Sequence, residues 1–214
     1  MAKKKSPRVL IVDDHAIVRL GLKQIILDEF DTAVVAEAGT AQEALERIWK
    51  ERWDVMLLDI TMPGRSGLEV LRDIHAARPA MPVLVLSVHS EEQYATRVFK
   101  SGGAGFITKN SAPNELVSAI HKVLEGGKYV SSALAERWAS GIPNGEKQRH
   151  EMLSNREFEV MRMIAAGRAI KEIAADLALS VKTISTYRTR ILEKMNLKTN
   201  ADLMKYAVRA GLPE

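Results

Sequence analysis

Cysteine is absent from the 214 residues, which excludes disulfides and thiolate metal sites and suits a reducing compartment. No long apolar run opens the chain. A basic start, Ala2-Lys3-Lys4-Lys5-Ser6-Pro7, is followed only by Val9-Leu10-Ile11-Val12 before two aspartates. That is too short for a signal peptide or a membrane span, so the expectation is a soluble, cytoplasmic protein with no membrane partner. Internal repeats are missing as well. At 27% charged and 46% hydrophobic residues, the composition is that of a folded chain rather than a disordered one. The net charge of +4 is small but uneven. Residues 1–130 hold 17 basic and 17 acidic side chains, 131–148 hold 2 of each, and 149–214 hold 12 against 8. The excess belongs to the C-terminal third, where it hints at a polyanionic partner.

What is present begins with alternation. Arg8–Val12, Thr32–Glu37, Val55–Leu58, Val83–Ser87 and 105–108 are short, mostly apolar runs. Segments of helical period separate them, carried in the first by Ile17, Leu20, Gly21, Gln24, Ile25 and Leu27. The second opens on the capping pattern Thr40-Ala41-Gln42-Glu43 and the fourth on Ser90-Glu91-Glu92-Gln93, while Pro113 sits near the first turn of the fifth. Five such β-α units predict an α/β doubly wound, parallel five-stranded sheet in the flavodoxin-like order. Strands covered on both faces should be continuously apolar. A short helix through Leu134 and Trp138 is expected next, and Gly141–Gln148 reads as a linker. From Met152 onward the pattern is helical only and predicts a compact all-α bundle. The expected division is 1–128, a linker over 129–149, and 150–214.

Chemistry collects at the strand ends, where an open parallel sheet places its ligands. Asp13 and Asp14 follow the first run, and Asp59 ends the third before Pro63-Gly64 turns the chain. Three carboxylates in one small volume repel each other unless a cation intervenes, and oxygen-only ligands favour Mg²⁺. Ser87 closes the fourth run and Lys109 follows the fifth. A hydroxyl and an ammonium beside a metal-bound carboxylate suit a phosphoryl group, with Asp59 as nucleophile.

Asp13-Asp14, Asp59 with Met62-Pro63-Gly64 and Gly67, Ser87, and the run Gly105-Phe106-Ile107-Thr108-Lys109 together resemble the receiver domain of bacterial response regulators, over roughly residues 7–126. The resemblance implies that Asp59 accepts a phosphoryl group from a phosphohistidine of a sensor histidine kinase. Asp14, Asp59 and the Thr61 carbonyl would bind Mg²⁺ directly, Asp13 mainly through water. Ser87 and Phe106 would form the switch pair, in place of the Thr and Tyr common in the family, with Phe106 turning inward on activation. Thr61 and His89, each two residues beyond a pocket residue, would flank the path of attacking water and tune the lifetime of the phosphoaspartate.

Further on, Leu153-Ser154-Asn155-Arg156-Glu157, Ile170-Lys171-Glu172-Ile173-Ala174 and the run Leu179-Ser180-Val181-Lys182-Thr183-Ile184 resemble the LuxR-type helix-turn-helix. Joined to the receiver, they make the chain look like a regulator of the NarL/FixJ type. On the helix from about Val181 to Met195, the apolar stripe Ile184, Tyr187, Ile191 and Leu192 faces inward. Ser180, Lys182, Thr183, Ser185, Thr186, Thr189 and Arg190 are then the candidates to meet promoter DNA. The last helix, through Leu203, Met204, Tyr206 and Val208, would pair with its twin in a homodimer. Aspartate-nucleophile phosphatases share the strand-end Asp, but they place an acid/base carboxylate where this chain has Thr61. A phosphorylation-independent binding module leaves the complete pocket without a use, and no apolar-ligand domain supports a quorum-signal receptor.

Overall fold

The computed structural model describes residues 6–62, 65–111, 113–140 and 149–212. The Gly141–Gln148 linker, Pro63-Gly64 and the lysines of the basic start lie outside them. The chain divides into two compact units, Met1–Glu136 and Arg137–Glu214.

The first unit alternates β1 (Arg8–Val12), α1 (Ala16–Glu29), β2 (Val34–Ala38), α2 (Ala41–Lys50), β3 (Val55–Asp59), α3 (Gly67–Ala77), β4 (Val83–Ser87), α4 (Glu91–Lys100), β5 (Gly105–Thr108) and α5 (Pro113–Leu124). All strand pairs are parallel, in the order β2-β1-β3-β4-β5. This is the expected doubly wound sheet. Strands β3 and β4 are buried at every position, as a layer covered on both faces requires.

Edge strand β2 departs from that rule. It starts two residues later than the sequence suggests and stays partly exposed, with Val34 46% accessible, because only β1 adjoins it. Helix α1 corrects a second expectation. Of the expected stripe, Ile17 and Leu20 are 76% and 61% exposed, while Ile25 does pack inward, beside Leu22 and the fully buried Ile26. Two apolar stripes run along this helix, and periodicity alone mixed them. The cap expected at Ser90 also fails: its side chain makes no capping bond. Glu91, the first residue of that helix, instead accepts a hydrogen bond from the Ser131 hydroxyl. Glu43 does close the start of α2, though its carboxylate reaches Gly39 N rather than the cap residue.

After α5 the chain stays on the first unit. Tyr129 bridges to Gly105 in parallel and its hydroxyl donates to Glu115 at 2.8 Å. Helix α6 (Ser132–Ala139) buries Leu134 but leaves Trp138 half exposed.

The next described element, within the second unit, is a 3₁₀ turn (Arg149–Met152). Four helices follow: α7 (Asn155–Ala165), α8 (Ile170–Asp176), α9 (Val181–Lys194) and α10 (Asn200–Arg209). Ser154 and Thr199 form reciprocal capping boxes with Glu157 and Asp202, which satisfy orphan N–H groups at each helix start. Tight turns join the helices through left-handed Gly167, Ala178 and Asn196. Ala178 takes a conformation that costs an L-residue about 1–2 kcal/mol. Among the described residues, no helix is long and apolar enough to cross a membrane.

Glu157 makes this unit acid-sensitive. Burial alone would raise its carboxyl, but the Lys194 ammonium at 2.6 Å and the Ser154 cap outweigh that and hold it below its ordinary 4.5. A depressed folded value contributes stability above the unfolded value, lost as pH falls through the folded one. Glu157→Gln should therefore lower the melting temperature of this unit at pH 6, with the gap to wild type closing below about pH 4. Thermal unfolding followed by circular dichroism across that range checks it; a gap constant with pH would contradict the assignment.

Candidate functional site

Register brings the chemistry together. Val12 pairs with Leu58, Asp59 with Leu86 and Ser87 with Thr108. The residues at or just past these positions, Asp13, Asp59, Ser87 and Lys109, therefore line one carboxyl edge of the sheet. Asp59 and Ser87 are fully buried and Asp13 is 1% exposed. Gly67 lets α3 begin directly against the exit of β3, since a Cβ there would sit 2.3 Å from Ile60 Cα.

Both oxygens of Asp59 are held. Its Oδ1 accepts from Thr61 N at 2.8 Å and from Thr61 Oγ1 at 2.5 Å. Its Oδ2 accepts from Lys109 Nζ at 2.7 Å, and the same ammonium lies 2.6 Å from Asp13 Oδ2. Burial alone would lower the Lys109 pKa, yet the two carboxylates outweigh it and raise it above 10.5. One cation between two buried anions still leaves net negative charge, so the ammonium offsets only part of the cost of burying them. The second contact is an ion pair without hydrogen-bond alignment, so Asp13 Oδ2 keeps its lone pairs, as does the buried Asp14 Oδ1.

Asp13, Asp14, His15 and Asp59 present ligand atoms all within 4.8 Å of one another. Buried oxygens with unused lone pairs, drawn from carboxylates, fit a hard divalent cation. His15 was not among the residues that the sequence singled out, though the signal lay in plain view, one position after Asp13-Asp14.

The remaining pocket residues sit as follows. Ser87 Oγ accepts from His89 N at 3.1 Å. The His89 ring stacks on Tyr94 of α4, with centroids 5.1 Å apart and planes 11° from parallel. Thr61 is exposed. Phe106 is 1% exposed, so its ring is buried in this conformation. A residue at the centre of β5, opposite Val85, has the sheet packing to hold it there.

In the second unit, α9 buries Ile184, Ile191 and Leu192, with Tyr187 half-buried. Ser180, Lys182, Ser185, Thr186, Thr189 and Arg190 are exposed, and Thr183 is half-buried under the Ser180 cap. The hydroxyls of Ser185, Thr186 and Thr189 each donate to the carbonyl four residues back. Arg188 is tied to Asn200 at the start of α10, with Nε 2.6 Å from Oδ1. On α10, Leu203 and Ala207 belong to the core while Val208 is 66% exposed.

Comparison with known proteins covers both units. Residues 9–121 match the response regulator receiver domain and 151–207 match the luxR family of bacterial regulatory proteins. The chain is 37% identical over 206 residues to the response regulator UvrY of Escherichia coli (strain K12), covering 95% of this chain and 94% of that protein. To the response regulator GacA of Pseudomonas viridiflava it is 36% identical over 207 residues, covering 96% and 97%. Its structure resembles that of RcsB from Salmonella enterica serovar Typhimurium, solved bound to the promoter rprA with phosphomimetic BeF3-. That match has a TM-score of 0.66 and 26% identity, and covers 94% of this chain and 98% of that one. A receiver-type acidic edge on a five-stranded parallel sheet and a capped helical bundle, each matched by its own family, make this chain a member of the luxR family of two-component response regulators, proteins that regulate transcription.

Proposed function

We propose that Asp59 is the phosphoacceptor and that its phosphorylation by a sensor histidine kinase controls binding of promoter DNA by α9. The observation that carries this reading is the charge arrangement around Asp59: a fully buried carboxylate, pinned by Lys109 and backed by Asp13 and Asp14. An Asp59 oxygen forms the P–O bond as the P–N bond of the phosphohistidine breaks, and the departing imidazole takes up a proton. Lys109 then moves its charge from the carboxylate to the phosphoryl oxygens, and the Ser87 hydroxyl donates to the same group. Asp13, Asp14, Asp59 and the Thr61 carbonyl would hold Mg²⁺, which when bound neutralises charge on the transferring group. Phe106, already buried, serves as a fixed wall, leaving the Ser87 and His89 segment as the part that responds.

The division proposed is a receiver over 1–128, a linker over 129–149 and a DNA-binding unit over 150–214. Ser180 and Lys182 at the start of α9 face phosphates, and Ser185, Thr186, Thr189 and Arg190 face base edges and backbone. Phosphorylation promotes a homodimer on two half-sites, and the protein works in the cytoplasm, where its DNA lies. The same site argues against enzymatic turnover: with Thr61 in the place of an acid/base carboxylate, hydrolysis of external phosphate esters should be negligible beyond slow self-dephosphorylation. The test is genome-wide DNA occupancy of wild type against Asp59→Asn.

Thr61 and His89 supply a finer check. The Thr61 hydroxyl sits on Asp59 Oδ1 and the His89 ring is pinned by Tyr94, so both flank the route of attacking water. A Thr61→Ala/His89→Ala double variant should change the decay rate of the phosphoaspartate by about ten-fold, roughly 1.4 kcal/mol of barrier. Unchanged decay, followed by loss of label from the phosphorylated protein, would dispose of that role.

A further inference from the structure

The ligands named for Mg²⁺ are all oxygens, yet one nitrogen stands among them. His15 Nδ1 lies 2.8 Å from Asp14 Oδ1 and 3.3 Å from Asp13 Oδ1, inside the 4.8 Å cluster that also contains Asp59. Adjacent ligands around an octahedral ion, at bonds of about 2.1 Å, are roughly 3.0 Å apart; the 2.8 Å ion-pair contact and the 3.3 Å hydrogen bond that Nδ1 makes here fall near that spacing, so an ion would replace both with little movement. Asp14 Oδ1 is buried without a hydrogen-bond partner. Asp13, 1% exposed, brings a second carboxylate to the same cluster, its Oδ2 paired with the Lys109 ammonium at 2.6 Å.

Local structure keeps the ring near the pocket. His15 N donates to Asp13 Oδ1 at 2.8 Å. The residue is the N-cap of α1, where its side chain makes no capping bond, so the imidazole is not needed to start the helix. The ring is 62% exposed and reaches the carboxylates from the solvent side.

We propose that His15 is a fifth ligand of this pocket, recruited by divalent transition ions and left aside by Mg²⁺. Carboxylate and carbonyl oxygens suit Mg²⁺, whereas imidazole nitrogen suits Ni²⁺, Cu²⁺ and Zn²⁺. A pocket offering both takes either class of ion, and His15 sets the ratio between them. The inference rests on the reading of the pocket as a divalent-cation site.

Isothermal titration of the untagged full chain with NiCl₂ and with MgCl₂ tests it, wild type against His15→Ala. The variant should bind Ni²⁺ about ten-fold or more weakly, since loss of even an outer-shell partner costs that much, and its Ni²⁺-to-Mg²⁺ selectivity should fall by the same factor. Excess Mg²⁺ should displace Ni²⁺ from wild type. An unchanged selectivity ratio, with Mg²⁺ still displacing Ni²⁺, would overturn the role of His15 and leave the pocket reading standing. Ni²⁺ and Mg²⁺ affinities both unchanged in Asp14→Asn would place the ions outside the acidic cluster, and that result would overturn both.

Discussion

Asp59→Asn should abolish phosphoryl uptake and erase the response of DNA binding to a phosphodonor. The amide keeps the shape of the carboxylate, so the fully buried position at the end of β3 is filled as before. Its single oxygen can accept from Thr61 or from Lys109 but not from both, because these hold different oxygens of Asp59 and the amide nitrogen only donates. What disappears is the anion. A neutral amide oxygen is a poor nucleophile toward phosphorus, and the pocket loses a carboxylate that a cation would share with Asp13 and Asp14. The fold should persist, while intact-protein mass spectrometry finds no phosphoryl adduct after treatment with a small-molecule phosphodonor. Wild-type occupancy on promoters should rise or redistribute on phosphorylation, and the variant's should not. Uptake at normal stoichiometry by Asp59→Asn would move the phosphoacceptor elsewhere. Identical occupancy of wild type and variant under every condition would separate DNA binding from the receiver altogether.

How much of this was legible in the sequence depends on the kind of signal. Strand ends were the most legible. A short apolar run stopping at an aspartate can be read directly, and parallel register then aligns Asp13, Asp59, Ser87 and Lys109 along one edge without any further code. Local capping was legible where both partners of a box are free to meet, as at Ser154 and Thr199. It misled at Ser90, where Glu91 bonds a residue 40 positions away, a contact that no local pattern can announce. Periodicity failed at α1 because the helix carries two apolar stripes. Which one is buried depends on where α5 and the sheet lie, and that is tertiary information. The state of Phe106 was beyond reach for the same reason, since rotamer and burial follow from the neighbours of β5. His15 was visible but not singled out, because a histidine after two aspartates comes within reach of both carboxylates only when α1 begins where it does.

The second large effect is expected in the C-terminal unit, from Phe158→Ala. Phe158 is 0% exposed on α7, the helix that packs on α8, α9 and α10 alike, and its ring lies 5.6 Å from that of the buried His150. Truncating a fully buried phenylalanine costs about 3–5 kcal/mol, part lost transfer energy and part cavity. A domain of this size seldom has more than about 3–5 kcal/mol in total. The cost therefore matches the whole stability of the unit, and the variant should be largely unfolded there at 37 °C. The receiver has its own core, built on Ile11, Leu57 and Leu84, and should not follow. Circular dichroism should lose helix in proportion to α7–α10, DNA binding should vanish, and Asp59 should still take up its phosphoryl group. A conservative Phe158→Leu should restore most of the fold, since it returns much of the buried volume. If Phe158→Ala melted both units in one transition, the two would be a single cooperative structure and the proposed division of the chain would be wrong. Retained DNA binding at wild-type affinity would instead mean that α7 does not support the placement of α9.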